Sequence, residues 1–81
     1  MKDVIIRLNL AEAQILRNDL YGMIQVKEAL KESALKRMQD ETLDEMERDI
    51  ARESNEMLSC QIGLYRDICG RILKSLLDTK L

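Results

Sequence analysis

The segment MLSCQIGLYRDICGRILKSLL, residues 57–77, is the most apolar stretch of this 81-residue chain and decides its fold. Its apolar residues recur at helical spacing in two adjacent rows. A helix that packs against a single partner needs one apolar stripe about 100° wide, so two rows indicate at least two neighbours. An 81-residue chain has too few other helices to supply them, and the segment therefore predicts self-association. The first row contains Met57, Leu64, Ile68 and Leu76, and the second contains Leu58, Ile62, Tyr65, Cys69, Ile72, Leu73 and Leu77.

The composition favours an all-helical protein. Proline is absent, glycine occurs three times and the only aromatic residues are two tyrosines. Most of the remaining residues are good helix formers, and β-branched residues and turn clusters are scarce. With 35% charged and 46% hydrophobic residues the chain has the composition of a helical bundle and not of a disordered tail. We expect one domain over residues 1–81, near the lower size limit for a self-sufficient core.

The charge pattern excludes some partners. A net charge of −2 argues against general binding to a nucleic-acid backbone, which requires a basic face. No apolar run approaches the roughly 20 residues of a membrane span, and residues 1–10 lack the apolar core of a signal peptide. We therefore expect a cytoplasmic protein that does not bind membranes, with Cys60 and Cys69 as reduced, small apolar side chains.

The first helix is predicted over residues 10–39. Asn9 with Glu12 has the form of an N-cap followed by an acid at the third helical position, and this places the helix start near Leu10. Residues 1–9 are interpreted as an arm, which is extended like a strand or, alternatively, helical from Asp3. From residue 13 an apolar row follows spacings of three and four: Ala13, Leu16, Leu20, Met23, Lys27, Leu30, Ala34 and Met38.

The second helix is predicted over residues 43–78, after a break at residues 39–42. Thr42 to Glu45 has the pattern of a capping box, and Asp40 is a second possible cap. The alternative is a single uninterrupted helix in a coiled coil. The residues expected to face inward on helix two are Leu43, Met46, Ile50, Met57, Leu64 and Ile68.

These elements predict an all-α, two-helix antiparallel hairpin that self-associates into a helical bundle, as a dimer or a higher cyclic oligomer. Folding about residue 41 places residue i opposite about residue 82 − i, which brings two broadly apolar segments together away from the turn. On this interpretation aspartate at Leu64 or Ile68 would dissociate the oligomer and largely unfold the chain, because an unpaired charge would lie in the core. The predicted oligomer interface contains Leu16, Leu20, Ile24, Leu64, Ile68, Ile72 and Leu76.

The residue types exclude most catalytic and metal chemistry. The chain contains no histidine, which rules out Ser-His-Asp and Cys-His nucleophiles and histidine-containing metal motifs. The carboxylate pairs Glu41/Asp44 and Glu53/Glu56 have a spacing that can hold Mg²⁺ on facing helices, and a metal-dependent hydrolase is the corresponding hypothesis. Both pairs, however, follow each other along one end of the chain, where a solvated charged face is expected. We therefore predict no enzyme activity, no metal and no cofactor.

Two binding hypotheses remain. The first is a non-enzymatic oligomeric adaptor, or an inhibitor or regulator, that binds another protein through an acidic tip formed by Asp44, Glu45, Asp49 and Glu53. The alternative is that it sequesters a phosphorylated small molecule, such as a nucleotide or cyclic nucleotide, at a subunit interface. In that hypothesis tyrosine stacks on a base and arginine holds phosphate. The 82 − i register places Arg17 opposite Tyr65 and Tyr21 opposite Gln61. The candidate ligand-binding residues are Arg7, Arg17, Tyr21, Tyr65, Arg66 and Arg71.

Overall fold

The computed structural model describes residues 3–79 and contains two α-helices that pack against each other as a hairpin. Helix α1 covers Leu10–Met38 and helix α2 covers Glu45–Thr79. Within the described residues there is no strand, and residues 3–9 precede α1 without regular secondary structure. The predicted all-α hairpin is therefore confirmed, and a single uninterrupted helix is wrong.

The start of α1 is held by the predicted capping box. The Asn9 side chain accepts a hydrogen bond from the Glu12 backbone N–H at 2.8 Å. In return, the Asn9 backbone N–H donates to Glu12 Oε1 at 3.0 Å. These two bonds satisfy amides that have no carbonyl partner in the first turn, and they fix the first helical residue at Leu10.

The turn differs in detail from the sequence prediction. Helix α1 ends at Met38 and α2 begins at Glu45. The cap of α2 is Asp44 and not Thr42, because Asp44 Oδ1 accepts a hydrogen bond from the Glu47 backbone N–H at 2.8 Å. Asp40 instead closes the loop, accepting from the backbone N–H of Thr42 and, at 2.6 Å, from its hydroxyl. Asx turns of this kind are a common function of aspartate in loops.

The two helices meet along what we call the seam, a row of buried and half-buried residues spaced alternately by four and three. This spacing is the signature of coiled-coil packing. The buried members are Ile24, Ala34, Ala51, Leu58, Ile62 and Cys69. The half-buried members on α1 are Ala13, Arg17, Leu20, Lys27, Lys31 and Met38, and those on α2 are Arg48, Asn55, Tyr65, Ile72 and Leu76.

The seam follows different rows from those predicted. On α1 it passes through Arg17, Ile24 and Lys31 instead of Leu16, Met23 and Leu30. On α2 the predicted inward row is wrong: only Leu43, now in the loop, is partly buried, whereas the side chains of Met46, Ile50, Met57, Leu64 and Ile68 are exposed.

The predicted pairing register was also wrong. Lys27 donates a hydrogen bond to Gln61 at 2.8 Å, so facing residue numbers add to about 88 and not 82. The loop begins where expected but ends at Asp44 instead of Thr42, and the facing residues are numbered symmetrically about a point near residue 44. The second row of residues 57–77 consequently forms much of the seam, and most of the first row points outward.

Candidate functional site

Both helices contribute exposed apolar side chains to a surface outside the seam that we call the outer face. On α1 it consists of Leu16, Met23 and Leu30, which are seven residues apart and therefore lie on one side of the helix. On α2, Ile50, Met57 and Leu64 repeat the same spacing, and Ile68 continues one turn beyond Leu64. All seven side chains are exposed, with Leu64 58% exposed.

The two halves of the outer face lie on the same side of the hairpin. Leu30 of α1 and Ile50 and Met57 of α2 line one open depression of about 300 Å³. The rest of its lining consists of four small side chains, Ser33, Ala34, Ala51 and Ser54, and of Arg37 and Leu58. The depression is wide enough for a large apolar side chain, and the heptad spacing extends its apolar walls toward Leu16 and Leu64.

The opposite side of the hairpin carries an ion pair between the helices, together with the exposed side chains of Tyr21, Leu35 and Leu73. Arg66 of α2 forms an ion pair with Glu28 of α1. The outer face and this ion pair therefore lie on opposite sides of the hairpin.

The structure divides the predicted oligomer interface in two. Leu20, Ile24, Ile72 and Leu76 are buried or half-buried in the seam, where they pack within the chain. Leu16, Leu64 and Ile68 belong to the outer face. Sequence reasoning missed Met23, Leu30, Ile50 and Met57 as surface residues because it placed them in the core. The seven-residue repeats of Leu16, Met23, Leu30 and of Ile50, Met57, Leu64 are the signal that identifies them.

The predicted ligand residues do not form one site, although Arg17 and Tyr21 are in contact. Arg17 lies over the ring of its own helix neighbour Tyr21, with its guanidinium carbon 5.2 Å from the ring centroid. Lys27, which sequence analysis did not select, lies 5.7 Å from the centroid of Tyr65, and this ring packs against the buried cluster of Ile24, Ile62 and Cys69. The expected pairing of Arg17 with Tyr65 and of Tyr21 with Gln61 is therefore wrong.

The remaining basic candidates have separate environments. Arg66 forms an ion pair with Glu28. Arg71 lines a second depression, of about 290 Å³, at the end of the hairpin away from the turn, together with Ile6, Leu8 and Ile72. Arg7 is exposed in the segment before α1.

The acidic tip residues are all exposed beside the turn. Asp44 caps α2, and Asp49 accepts a 2.6 Å hydrogen bond from Arg52 one turn along the helix. Glu45 and Glu53 are exposed on the first turns of α2. The nearby Asp40 carboxyl has a pKa below its ordinary value of 3.8, because the Thr42 hydroxyl and backbone N–H donate to its charged form.

Three polar atoms in the seam are buried and have no hydrogen-bond partner within the described chain: Nε of Arg17, Nε of Arg48 and Oδ1 of Asn55. Such groups weaken the packing between α1 and α2, since desolvation is not offset by a bond. Within residues 3–79, no group of three or more potential ligands is arranged to hold a metal ion. Neither described helix has a segment with the length and apolarity needed to cross a membrane.

Comparison of the chain with known protein families, curated proteins and solved structures finds no match.

Proposed function

We propose that this protein is a small non-enzymatic binding protein that works as a self-associated helical bundle and acts by protein–protein interaction, as an adaptor, inhibitor or regulator. The observation that supports this proposal is the outer face. Seven large apolar side chains in register along one side of a hairpin are unfavourable in water, and burying them against another surface releases free energy in proportion to the area covered.

The accessible surface area supports self-association. The chain exposes 6924 Å², whereas a compact monomeric protein of 9.4 kDa is expected to expose about 5,000 Å². The excess of about 1,900 Å² is more than the roughly 800 Å² that each partner buries in a standard interface. Covering the outer face with a second chain would bring the exposed area per chain toward the ordinary value.

The acidic tip is the proposed contact for the partner protein. In the assembly the outer face is covered, and the tip remains a concentrated negative surface on a rigid turn. Such a surface favours a basic partner and accelerates its capture at low salt. Because Asp44 caps α2, an asparagine there would keep the cap and remove only the charge.

Self-association is tested by light scattering coupled to size-exclusion chromatography on Leu64→Asp. We expect the wild type to elute as an oligomer and this variant to elute as a smaller species, because a charge would be buried in the new interface. The matched control is Leu35→Asp, which changes an exposed leucine (39% exposed) outside the outer face. An oligomer that is unaffected by Leu64→Asp, or a monomeric wild type, would refute the proposal.

The tip is tested by immobilising the wild type and a variant with Asp44→Asn, Glu45→Gln, Asp49→Asn and Glu53→Gln, and comparing the proteins each retains. We expect the wild type to retain a partner protein at low salt and to release it at high salt, and we expect the variant not to retain it. A control that neutralises Asp19, Glu32 and Asp67, which lie outside the tip, should retain the same partner. Equal retention by the wild type and the tip variant would contradict a role for the tip.

A second candidate is the binding of a phosphorylated small molecule. It is favoured by one observation: within the described chain, Arg17 and Lys27 have no carboxylate within ion-pair distance, although each lies over a tyrosine ring. A phosphate would supply the missing counter-charge. Isothermal titration with a cyclic nucleotide tests this candidate, and binding that is lost in Lys27→Gln while the oligomer persists would support it over the first proposal.

A further inference from the structure

The arm segment, residues 3–8 before the cap of α1, exposes apolar side chains on an unpaired backbone. Val4, Ile5 and Ile6 are all exposed, with Ile5 88% exposed. Among the described residues, no hydrogen bond involves the backbone of the arm segment, which has no regular secondary structure. Consecutive β-branched residues favour the conformation of a strand, and an unpaired strand is a template for pairing with another chain.

The sequence of the arm segment is complementary to itself. Asp3 and Arg7 flank the three β-branched residues, and neither has an ion-pair partner within residues 3–79. In an antiparallel pair of two copies centred on Ile5, the numbers of facing residues add to ten. Asp3 of each copy then lies opposite Arg7 of the other, and Val4 lies opposite Ile6. Opposite charges and β-branched pairs directly across an antiparallel ladder stabilise it.

We propose that the arm segment pairs with the arm segment of a second copy of this chain, as an antiparallel two-stranded ribbon. This proposal rests on the self-association proposed above and names a segment that contributes to it. The twofold axis of the ribbon passes through Ile5, so each copy makes the same contacts with the other and the pair is closed. Both ion pairs form at once, one at each end of the ribbon.

Alternation along the arm segment gives the ribbon two unlike faces. Side chains of successive residues point to opposite faces of a strand, so Val4, Ile6 and Leu8 share one face. Ile6 and Leu8 line the depression of about 290 Å³ at the end of the hairpin away from the turn. An isolated two-stranded ribbon is marginally stable in water, and this depression provides the apolar support that the ribbon needs.

The depression lies on the side of α2 that carries the outer face. Of its lining residues, Arg71 follows Leu64 by seven positions, and Ser75 follows Ile68 by seven positions. Two chains that pair through the outer face with their turns at the same end therefore bring both arm segments to the shared interface. The two acidic tips then lie together at the opposite end, outside the contacts of the arm segments, where a partner protein can reach both.

Exchange of charge between Asp3 and Arg7 tests the pairing. Asp3→Arg places arginine opposite arginine at both ends of the ribbon, and Arg7→Asp places aspartate opposite aspartate. We expect either change to raise the dissociation constant of the assembly about fivefold at low salt, because two attractive pairs become repulsive. The double variant Asp3→Arg/Arg7→Asp re-forms both ion pairs with reversed polarity and should restore the wild-type constant. Sedimentation velocity measures each constant.

The matched control is Glu32→Arg, which makes the same change of charge at an exposed position outside the arm segment and the outer face. It should leave the dissociation constant unchanged. A double variant that associates no better than the two single variants, or single variants that associate like the wild type, would overturn the ribbon and leave self-association intact. A monomeric wild type would instead refute the proposed function on which the ribbon rests.

A disulfide experiment tests the register without changing charge. In a Cys60→Ser background, Ile5→Cys places two thiols opposite each other on the twofold axis, within the roughly 4–7 Å between Cα atoms that a disulfide needs. Mild oxidation should therefore link the two chains. Val4→Cys is the control, because strand geometry places its two Cα atoms about 8 Å apart, and it should link at least about fivefold more slowly. Val4→Cys mixed with Ile6→Cys should link readily. Linking at Val4 as fast as at Ile5, or at neither, would overturn the register.

Discussion

The assignment of the seam makes a quantitative prediction about Ile62. This residue is 5% exposed and packs in the buried cluster with Ile24 and Cys69. Replacing it with alanine removes three carbons, worth about 2.4 kcal/mol at roughly 0.8 kcal/mol per buried methylene. The cavity that remains adds to this loss, and we expect Ile62→Ala to lower the free energy of unfolding by about 2–4 kcal/mol.

The matched control is Ile15→Ala, because Ile15 is on the other helix and 61% exposed. The substitution is chemically identical, so the gain in helix propensity is the same at both positions and cancels in the comparison. We expect Ile15→Ala to change stability by less than about 1 kcal/mol. The assay is urea denaturation followed by far-ultraviolet circular dichroism at one protein concentration. A loss for Ile15→Ala equal to that for Ile62→Ala would refute the assigned seam.

Three further predictions follow from local contacts. Asn9→Ala removes the bond that the Asn9 side chain accepts from the Glu12 backbone N–H, and it should cost about 1 kcal/mol of stability in the same denaturation assay. Cys60 is exposed and Cys69 is 2% exposed, so a thiol reagent should modify the first at least about 100-fold faster than the second, which must wait for an opening of the seam. Because the pKa of Asp40 is lower in the folded chain than its ordinary value of 3.8, its charged form stabilises the fold above about pH 3.8. This contribution should disappear as the pH falls through the folded pKa. Titration of the Asp40 carboxyl by nuclear magnetic resonance measures that pKa directly.

Each of these predictions has a clear negative outcome. Unchanged stability in Asn9→Ala, with Asn18→Ala as the exposed control on the same helix, would mean that the cap does not hold the start of α1. Equal reaction rates at the two thiols would contradict the burial of Cys69. An Asp40 carboxyl that titrates at or above its ordinary pKa would show that the bonds from Thr42 do not persist in solution.

The sequence was sufficient to predict the class of fold and the approximate positions of the helix ends. Helix propensity and the absence of proline indicate two long helices, and the Asn9/Glu12 pattern places the first residue of α1 correctly. These are local properties, determined by backbone hydrogen bonding within one turn. The turn was located to within a few residues, because Thr42 and Asp44 have almost equal capping potential and only the folded loop selects Asp44.

The sequence was not sufficient to assign the faces. Periodicity identifies an apolar row, and the usual rule places the bulkiest row inside. Here the rule fails: the seam contains Arg17, Lys31 and Asn55, whereas rows containing Leu30 and Leu64 point outward. Small residues such as Ala34 and Ala51 allow the helices to approach closely without a thick layer of large side chains. A helix with two apolar rows can pack against its partner through either row, and the periodicity of one sequence does not decide which row is buried.

Because the row that contains Leu64 points outward, the expectation that Leu64→Asp places a charge in the core is also corrected. Leu64 does not lie in the core of the hairpin, so an aspartate there leaves the contacts between α1 and α2 intact. Its expected effect is on association and not directly on the fold of one chain.

The central claim is that the outer face is buried by association of identical chains. Sedimentation equilibrium of the wild-type protein over a wide range of concentrations tests this claim most directly. The account predicts a mass that is a multiple of 9.4 kDa and that decreases toward the single-chain value on dilution. A mass of one chain at every concentration, with native helix content, would contradict it.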